Sequence, residues 1–238
     1  MAGQGAQMSA PSAKPLFKAI SGQAGAAADA GAPLFGVKPQ AVEMGRDPLD
    51  YDPTPPDATA AFLAVEGARL REIGGPIWEP AVGAGHMARV FEAAGFEVIG
   101  SDVVDRGWPG VERRSFYDYD RPPGWARIIV TNPPYCEVNA RDGHGRWLKH
   151  IEALGVEYAA LLLNWDWLAA RINGMDALHA RFPVARAYLC CWKIDFRGLG
   201  APPQRNGWLV WDRAAQGETV LRRLFREQGA NLAQGVLI

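Results

Sequence analysis

From about residue 47 onward, apolar positions along the chain follow two alternating rhythms. Residues 60–73 (AAFLAVEGARLREI) place apolar side chains at helical spacing, and Gly74-Gly75 end the run. A proline-punctuated loop, DPLDYDPTPPD at 47–57, precedes that helix, and Asp57 or Thr59 is the candidate cap. Short, almost continuous apolar runs mark strands at 76–80 (PIWEP), 96–102 (FEVIGSD), 126–132 (ARIIVTN) and 157–164 (EYAALLLN), with a weaker one at 111–116 (VERRSF). Helical patterns separate them at 85–95 (GHMARVFEAAG), at 145–155 (GRWLKHIEALG), and at 165–182, where Gly174 is a candidate break. Two further strands follow at 185–196 and 206–213, and a last helix is expected over 217–229 (GETVLRRLFREQG).

Strands alternating with helices of this length predict an α/β fold. Right-handed βαβ units should build a mostly parallel, doubly wound, Rossmann-like sheet with helices on both faces. The last two strands are joined by RGLGAPPQR, which has no helical pattern, so they should form an antiparallel pair at one edge of the sheet.

Composition narrows this picture. A hydrophobic content of 48% and a charged content of 21% suit a globular domain with a full core. Residues 1–45 are rich in Ala, Gly, Gln, Ser and Pro and lack periodicity, so they are expected to be a disordered tail, leaving 46–238 as the folded domain. No run approaches the roughly 18 apolar residues of a membrane span, and no basic-then-apolar secretory leader opens the chain. The three cysteines are Cys136 and the neighbours Cys190 and Cys191, whose side chains would point to opposite faces of a strand. They suit neither a disulfide framework nor a metal site, and a reducing cytoplasm is the natural compartment. Charge is uneven: residues 1–120 hold 10 Lys and Arg against 16 Asp and Glu, and residues 121–238 hold 15 against 10. The basic half could meet an anion such as nucleic acid, although solvated faces would give the same count.

Two stretches carry candidate chemistry. The first strand leads into WEPAVGAGHMARV, where Gly83 and Gly85 open a helix. The third glycine of the dinucleotide fingerprint is missing, Ala88 and Arg89 lying in that region, which argues against a pyrophosphate loop. Asp102 ends the second strand 19 residues after Gly83, where a carboxylate can accept hydrogen bonds from both ribose hydroxyls. A ribose without a diphosphate points to another kind of adenosine-containing cofactor. The second stretch is ARIIVTNPPYC, in which a buried-strand pattern stops on Asn132-Pro133-Pro134-Tyr135. Pro-Pro alone is a stiff turn, and it recurs at 55–56, 122–123 and 202–203. Only the whole arrangement is specific: strand, Asn, two prolines and an aromatic, 47 residues after Gly85.

With these residues, the segment from about 47 to 213 resembles the class I S-adenosylmethionine-dependent methyltransferases. It is most similar to small, phage-like amino-methyltransferases that modify adenine N6 in DNA. The resemblance rests on EPAVGAG at 79–85, Asp102, NPPY at 132–135 and YDPTPP at 51–56. It implies a seven-stranded sheet with the last strand reversed. It also implies that Glu79, Ala81, Gly83 and Gly85 wrap the methionine part of the cofactor, that Asp102 holds its ribose, and that Tyr51, Thr54 and Pro55 line the methionine side. Such families carry an acidic residue beside an aromatic after the third strand. Here the stretch is RRSFYDYD, so Ser115-Phe116 or Asp118 would stand there.

The motif has a physical rationale. An exocyclic amino nitrogen is a poor nucleophile because its lone pair is delocalised, and it carries two N–H donors. The side-chain oxygen of Asn132 and a backbone carbonyl, that of Pro133, could accept both and aim the lone pair. Pro133 and Pro134 would make the arrangement rigid, and Tyr135 would give a planar group a face to stack on. No dedicated base is needed; His144 is the nearest histidine to the motif. Asn at the first position resembles enzymes acting on adenine N6, an RNA amino group or a protein glutamine rather than cytosine N4. DNA is therefore the expected partner. A protein glutamine or RNA base is the alternative acceptor, and a non-catalytic nucleic-acid-binding module is the alternative of another class. Recognition would fall to loops 136–146, 164–167 and 195–205, where Arg141, Arg146, Arg197 and Arg205 are interleaved with Trp165 and Trp167. Core tryptophans and solvated arginines are the plain alternative for those loops.

Overall fold

A computed structural model describes residues 51–138, 145–169, 175–200, 202 and 204–226. The expected tail at 1–45, together with Arg141, His144 and Gly174, lies outside the described residues.

The first helix, α1 (Pro56–Ile73), starts earlier than its apolar rhythm does. Pro56 occupies the first helical position, where its fixed φ suits the helix and its missing N–H costs nothing. No side chain caps it, so neither Asp57 nor Thr59 has the expected role. Asp57 instead pairs with Arg226 at 2.5 Å.

The strands are β1 (Ile77–Glu79), β2 (Val98–Asp102), β3 (Glu112–Arg113), β4 (Ile128–Thr131), β5 (Tyr158–Asn164), β6 (Arg186–Cys190), β7 (Asn206–Asp212) and β8 (Val220–Leu224). Helix α2 (His86–Ala93) joins β1 to β2. Between β4 and β5 lie a single turn, α3 (Tyr135–Val138), and α4 (Arg146–Leu154). The helix expected over 165–182 is described in two pieces, a 3-10 turn at Trp165–Ala169 and α5 (Met175–Arg181).

The sheet order is β3-β2-β1-β4-β5-β7-β6-β8. Neighbours from β3 to β5 are parallel. β7 runs antiparallel to both β5 and β6, with seven register pairs from Tyr158↔Asp212 to Asn164↔Asn206. The mostly parallel doubly wound sheet with a reversed strand is therefore as expected, with two corrections. The expected antiparallel pair is β6 and β7, but it is not at the edge, since β8 lies beyond β6. The segment expected as a last helix is β8, parallel to β6, which makes eight strands instead of seven. Val220, Leu221 and Leu224 satisfy helical spacing, yet the open edge of β6 has backbone groups that need partners, and pairing overrides the local rhythm.

Continuous apolar strands are buried on both faces, as a parallel sheet between helical layers requires. Trp78, Ile129, Leu161 and Leu163 face one core with Phe116, Trp147 and Ile151. Ile77, Ile128, Val130 and Leu162 face the other with Phe62, Leu70 and Phe91. On the second side a charged network ties α1 to the sheet. Glu66, 2% exposed, accepts hydrogen bonds from Tyr158, Tyr188 and Arg186. Arg186 also donates to Asp212 at 2.9 Å, which in turn accepts two from Arg69 at 3.0 Å each.

Candidate active site

Three neighbouring strands, β2, β1 and β4, end side by side on Asp102, Glu79 and Thr131-Asn132. Their carboxyl ends open on a cavity of about 440 Å³. The strand order reverses between β1 and β4, where a doubly wound sheet leaves a ligand crevice.

After β1 the chain turns through Pro80–Gly85 into α2. Gly83 and Gly85 have φ values of 53° and 78°, which glycine adopts without strain. Close packing imposes the same choice: a Cβ on Gly83 would come within 2.4 Å of the Tyr51 ring, and one on Gly85 within 1.9 Å of Trp108. The glycines therefore admit two aromatic rings as well as a turn at positive φ. The Gly83 N–H donates to Asp102 Oδ2 at 2.8 Å, and the Val104 N–H to Oδ1 at 3.0 Å. Asp102 thus pins the glycine turn and retains one lone pair on each oxygen for a ligand hydroxyl. Tyr51 covers the turn, its hydroxyl accepting from the Ala84 N–H at 3.4 Å, with the Arg106 guanidinium 4.1 Å from its ring centre.

Glu79 is 2% exposed, and its Oε2 has no hydrogen-bond partner. Burial, with the Asp102 charge adding to it, holds its carboxyl well above the usual range. Neither Glu79 nor Asp102 is in an ion pair among the described residues, and both line the cavity.

Asn132 follows β4. Its Nδ2 donates to the Asp52 carbonyl at 3.3 Å and to Thr54 Oγ1 at 3.1 Å. Its Oδ1 is buried and has no partner. Buried side-chain acceptors are nearly always satisfied, so an orphan at a cavity wall marks a place for a donor. Pro134 also lines the cavity, whereas Pro133 is buried behind it. Tyr135 begins α3 away from the cavity wall. Its ring packs against the core and its hydroxyl accepts from Asn206 Nδ2 at 2.9 Å. Glu137, two residues on, is the α3 side chain that reaches the cavity.

Residues 115–117 and the start of α4 also line the cavity. Ser115 and Phe116 line the cavity, and Phe116 stacks on Trp147 at 4.2 Å between ring centres. Asp118 is exposed and does not line it. Ala81 and Thr54 do; Pro55 does not, being the residue before α1. Of the basic residues, Arg146 stands at the cavity, 3.4 Å from Glu137 and with its guanidinium 4.1 Å from the Tyr117 ring centre. Arg197 is outside it, paired with Asp52 at 3.1 Å. Arg205 is exposed, and its carbonyl accepts from the Trp165 N–H. Trp165 is half-buried against the core, and Trp167 is a core residue whose Nε1 donates to the Val138 carbonyl at 2.7 Å. Asp52, His86, Arg106, Tyr117, Glu137 and Trp147 line the cavity without having been legible as site residues. Asp52 alone carried a signal, since it lies inside YDPTPP.

No family model and no curated protein matches the sequence. Solved structures do match the fold. One is a protein of Listeria monocytogenes classed provisionally as a class I S-adenosylmethionine-dependent methyltransferase. Its TM-score is 0.52 at 14% identity, over 76% of this chain and 68% of that one. The chain shares the fold of that protein. The type IIG restriction endonuclease BpuSI carries a similar unit (TM-score 0.52, 13% identity, 78% of this chain and 29% of that one). So does the protein of a DrdV–DNA complex (TM-score 0.51, 11% identity, 78% and 29%). The chain spans less than a third of those two larger proteins. In the fold described here, the cavity sits on the ends of β2, β1 and β4, and the residues lining it lie between 51 and 147.

Proposed function

We propose that the protein, through a domain spanning residues 46–238, transfers a methyl group from S-adenosylmethionine to an exocyclic amino nitrogen, adenine N6 in DNA. The observation that carries this reading is the buried Oδ1 of Asn132, unpartnered among the described residues, beside a cavity that Glu79 and Asp102 also line.

The residues present fit the cofactor. The cavity volume lies in the range of small-ligand sites. Glu79 and Ala81 would hold the methionine part, with Tyr51 and Thr54 on the same side, and Glu79 Oε2 offers an acceptor to its ammonium. Asp102 would take the ribose hydroxyls, and Phe116 would stack against the adenine. When bound, the cofactor supplies an electrophilic methyl on a sulfonium centre.

The remaining work belongs to the protein. Asn132 accepts one N–H of the target amino group on Oδ1, while its Nδ2, tied to residues 52 and 54, keeps the amide plane from rotating. The carbonyl of Pro133 is the second acceptor. Together they favour a pyramidal nitrogen whose lone pair points at the methyl. The N–CH3 bond forms as the S–CH3 bond breaks, and the nitrogen then gives its proton to water. Donor and acceptor positions fixed before reaction lower the barrier without reorganisation.

DNA is favoured by the basic second half of the chain and by the fold shared with BpuSI and with the DrdV–DNA complex. An adenine reaching this cavity would have to leave the base stack. The test is transfer of labelled methyl to DNA, RNA and protein in separate reactions, followed by digestion of the DNA. N6-methyladenine is the expected product. Label found only in RNA or in protein glutamine would overturn the choice of DNA, and failure to bind S-adenosylmethionine would overturn the enzyme reading.

A further inference from the structure

Asn132 is aimed from the segment before α1. Because its Nδ2 is bound to the Asp52 carbonyl and Thr54 Oγ1, the direction of its free Oδ1 depends on where residues 52–54 lie. That segment is held from the other side. The Asp52 carboxylate accepts a hydrogen bond from Arg197 Nε at 3.1 Å, with the two side chains 28% and 40% exposed.

Arg197 is itself fixed by a tight turn. The Asp195 carboxylate accepts the backbone N–H groups of Gly200 at 2.6 Å, Leu199 at 3.2 Å and Arg197 at 3.3 Å. These bonds, that from Gly200 foremost, hold the Asp195 carboxyl below its usual range, so the turn persists at neutral pH. The chain that continues from this turn reaches Asn206, whose Nδ2 donates to the Tyr135 hydroxyl. Arg197 and Asn206 therefore act on the two ends of Asn132–Tyr135, one through Asp52 and the other directly on Tyr135.

We propose that Asp52 is a positioning residue that couples the 195–200 turn, through Arg197, to the aim of Asn132. The pair lies at the rim, where a phosphodiester chain would meet Arg197, so polyanion contact and the placement of the amino-group acceptor share one guanidinium. This rests on the methyl-transfer reading for its purpose, though not for its test. An ion pair of this exposure contributes little to folding. Losing it should change geometry rather than stability.

Asp52→Asn keeps the backbone carbonyl and the side-chain size, and Arg197→Gln removes the charge. Each should lower kcat on DNA by about 10- to 100-fold, the cost of a misplaced reacting group. The double variant should be no slower than the slower single one. Arg197→Lys should recover part of the loss. Additive losses, or parental kcat in Asp52→Asn, would show that Arg197 contacts substrate only and would overturn the coupling. A second readout needs no turnover. In protein labelled with 15N at asparagine, the Asn132 side-chain amide is identified by its disappearance in Asn132→Ala. Its protons should exchange with water about five- to tenfold faster in Asp52→Asn and Arg197→Gln. Parental exchange in both would also overturn the proposal. A parent protein that methylates nothing would sink the functional reading alone, since the amide measurement would still decide the coupling.

Discussion

The methyl-transfer reading turns on one atom. Asn132 Oδ1 is buried without a partner among the described residues while the other end of the same amide makes two hydrogen bonds, which leaves one fixed acceptor for an arriving donor. Asn132→Ala should keep cofactor binding and lose about 10²- to 10³-fold in single-turnover methyl transfer, the scale of one lost preorganised contact. Parental turnover would reduce NPPY to a corner. Glu79 adds a pH signature. Its carboxyl sits well above the usual range because of burial, then the Asp102 charge. In the free protein this works against the fold as pH climbs from the usual carboxylate value toward Glu79's own, because the unfolded chain releases that proton more readily. A cationic ligand prefers the ionised form. Cofactor affinity should therefore increase with pH through the Glu79 titration and level off above it. Calorimetric titration across a pH series checks this, and Glu79→Gln should flatten the profile. The motif was legible at this scale, but the partners of its residues were not. Tyr135, expected as an open stacking face, has its hydroxyl bound to Asn206, and that contact joins positions 71 residues apart.

Among the elements, the turn between β1 and α2 is the most constrained. Gly85→Ala would bring a methyl to 1.9 Å from Trp108 and force an alanine into a left-handed backbone. We expect a loss of about 1–3 kcal/mol in denaturant unfolding from the backbone alone, with weaker cofactor binding as the turn shifts. Stability within error of the parent would mean that Trp108 moves aside freely. Elements with strong internal patterns, β4, β5, α2 and α4, lie within a few residues of where their apolar rhythm puts them. β8 does not, because its helix-compatible spacing yields to pairing with β6. The start of α1 was also displaced, by Pro56, which acts through its fixed φ rather than through any apolar pattern.

For the molecule as a whole, the network of Glu66, Arg186, Asp212 and Arg69 fastens α1 against β5, β6 and β7. Removing its central cation leaves the buried Glu66 carboxylate without a cation and Asp212 with Arg69 alone. Arg186→Met should cost about 3–5 kcal/mol by chemical denaturation, and a neutral result would show that water takes over the pairing. Burial pushes the Asp212 carboxyl up, but hydrogen bonds from Arg69 and Arg186 outweigh it and hold the group below its usual range. Its contribution is therefore complete above the ordinary aspartate value and fades as pH falls through its own lower one. No described helix is long and apolar enough to cross a membrane, and no cluster of His, Cys, Asp and Glu among the described residues could hold a metal.

The sequence by itself determined what short-range physics can encode: alternating buried strands and amphipathic helices, glycines where the chain must turn through positive φ, and the Asn-Pro-Pro-Tyr turn that ends β4. Only the tertiary structure decided which side chains meet. It placed β7 between β5 and β6, brought Asp52 and Thr54 to the Asn132 amide, and set Tyr117, Glu137 and Arg146 together at the cavity. The reason is distance along the chain. A rhythm of two or 3.6 residues is written locally, whereas a contact between residues 52 and 132, or between 66 and 186, exists only after the sheet has closed between its helical layers.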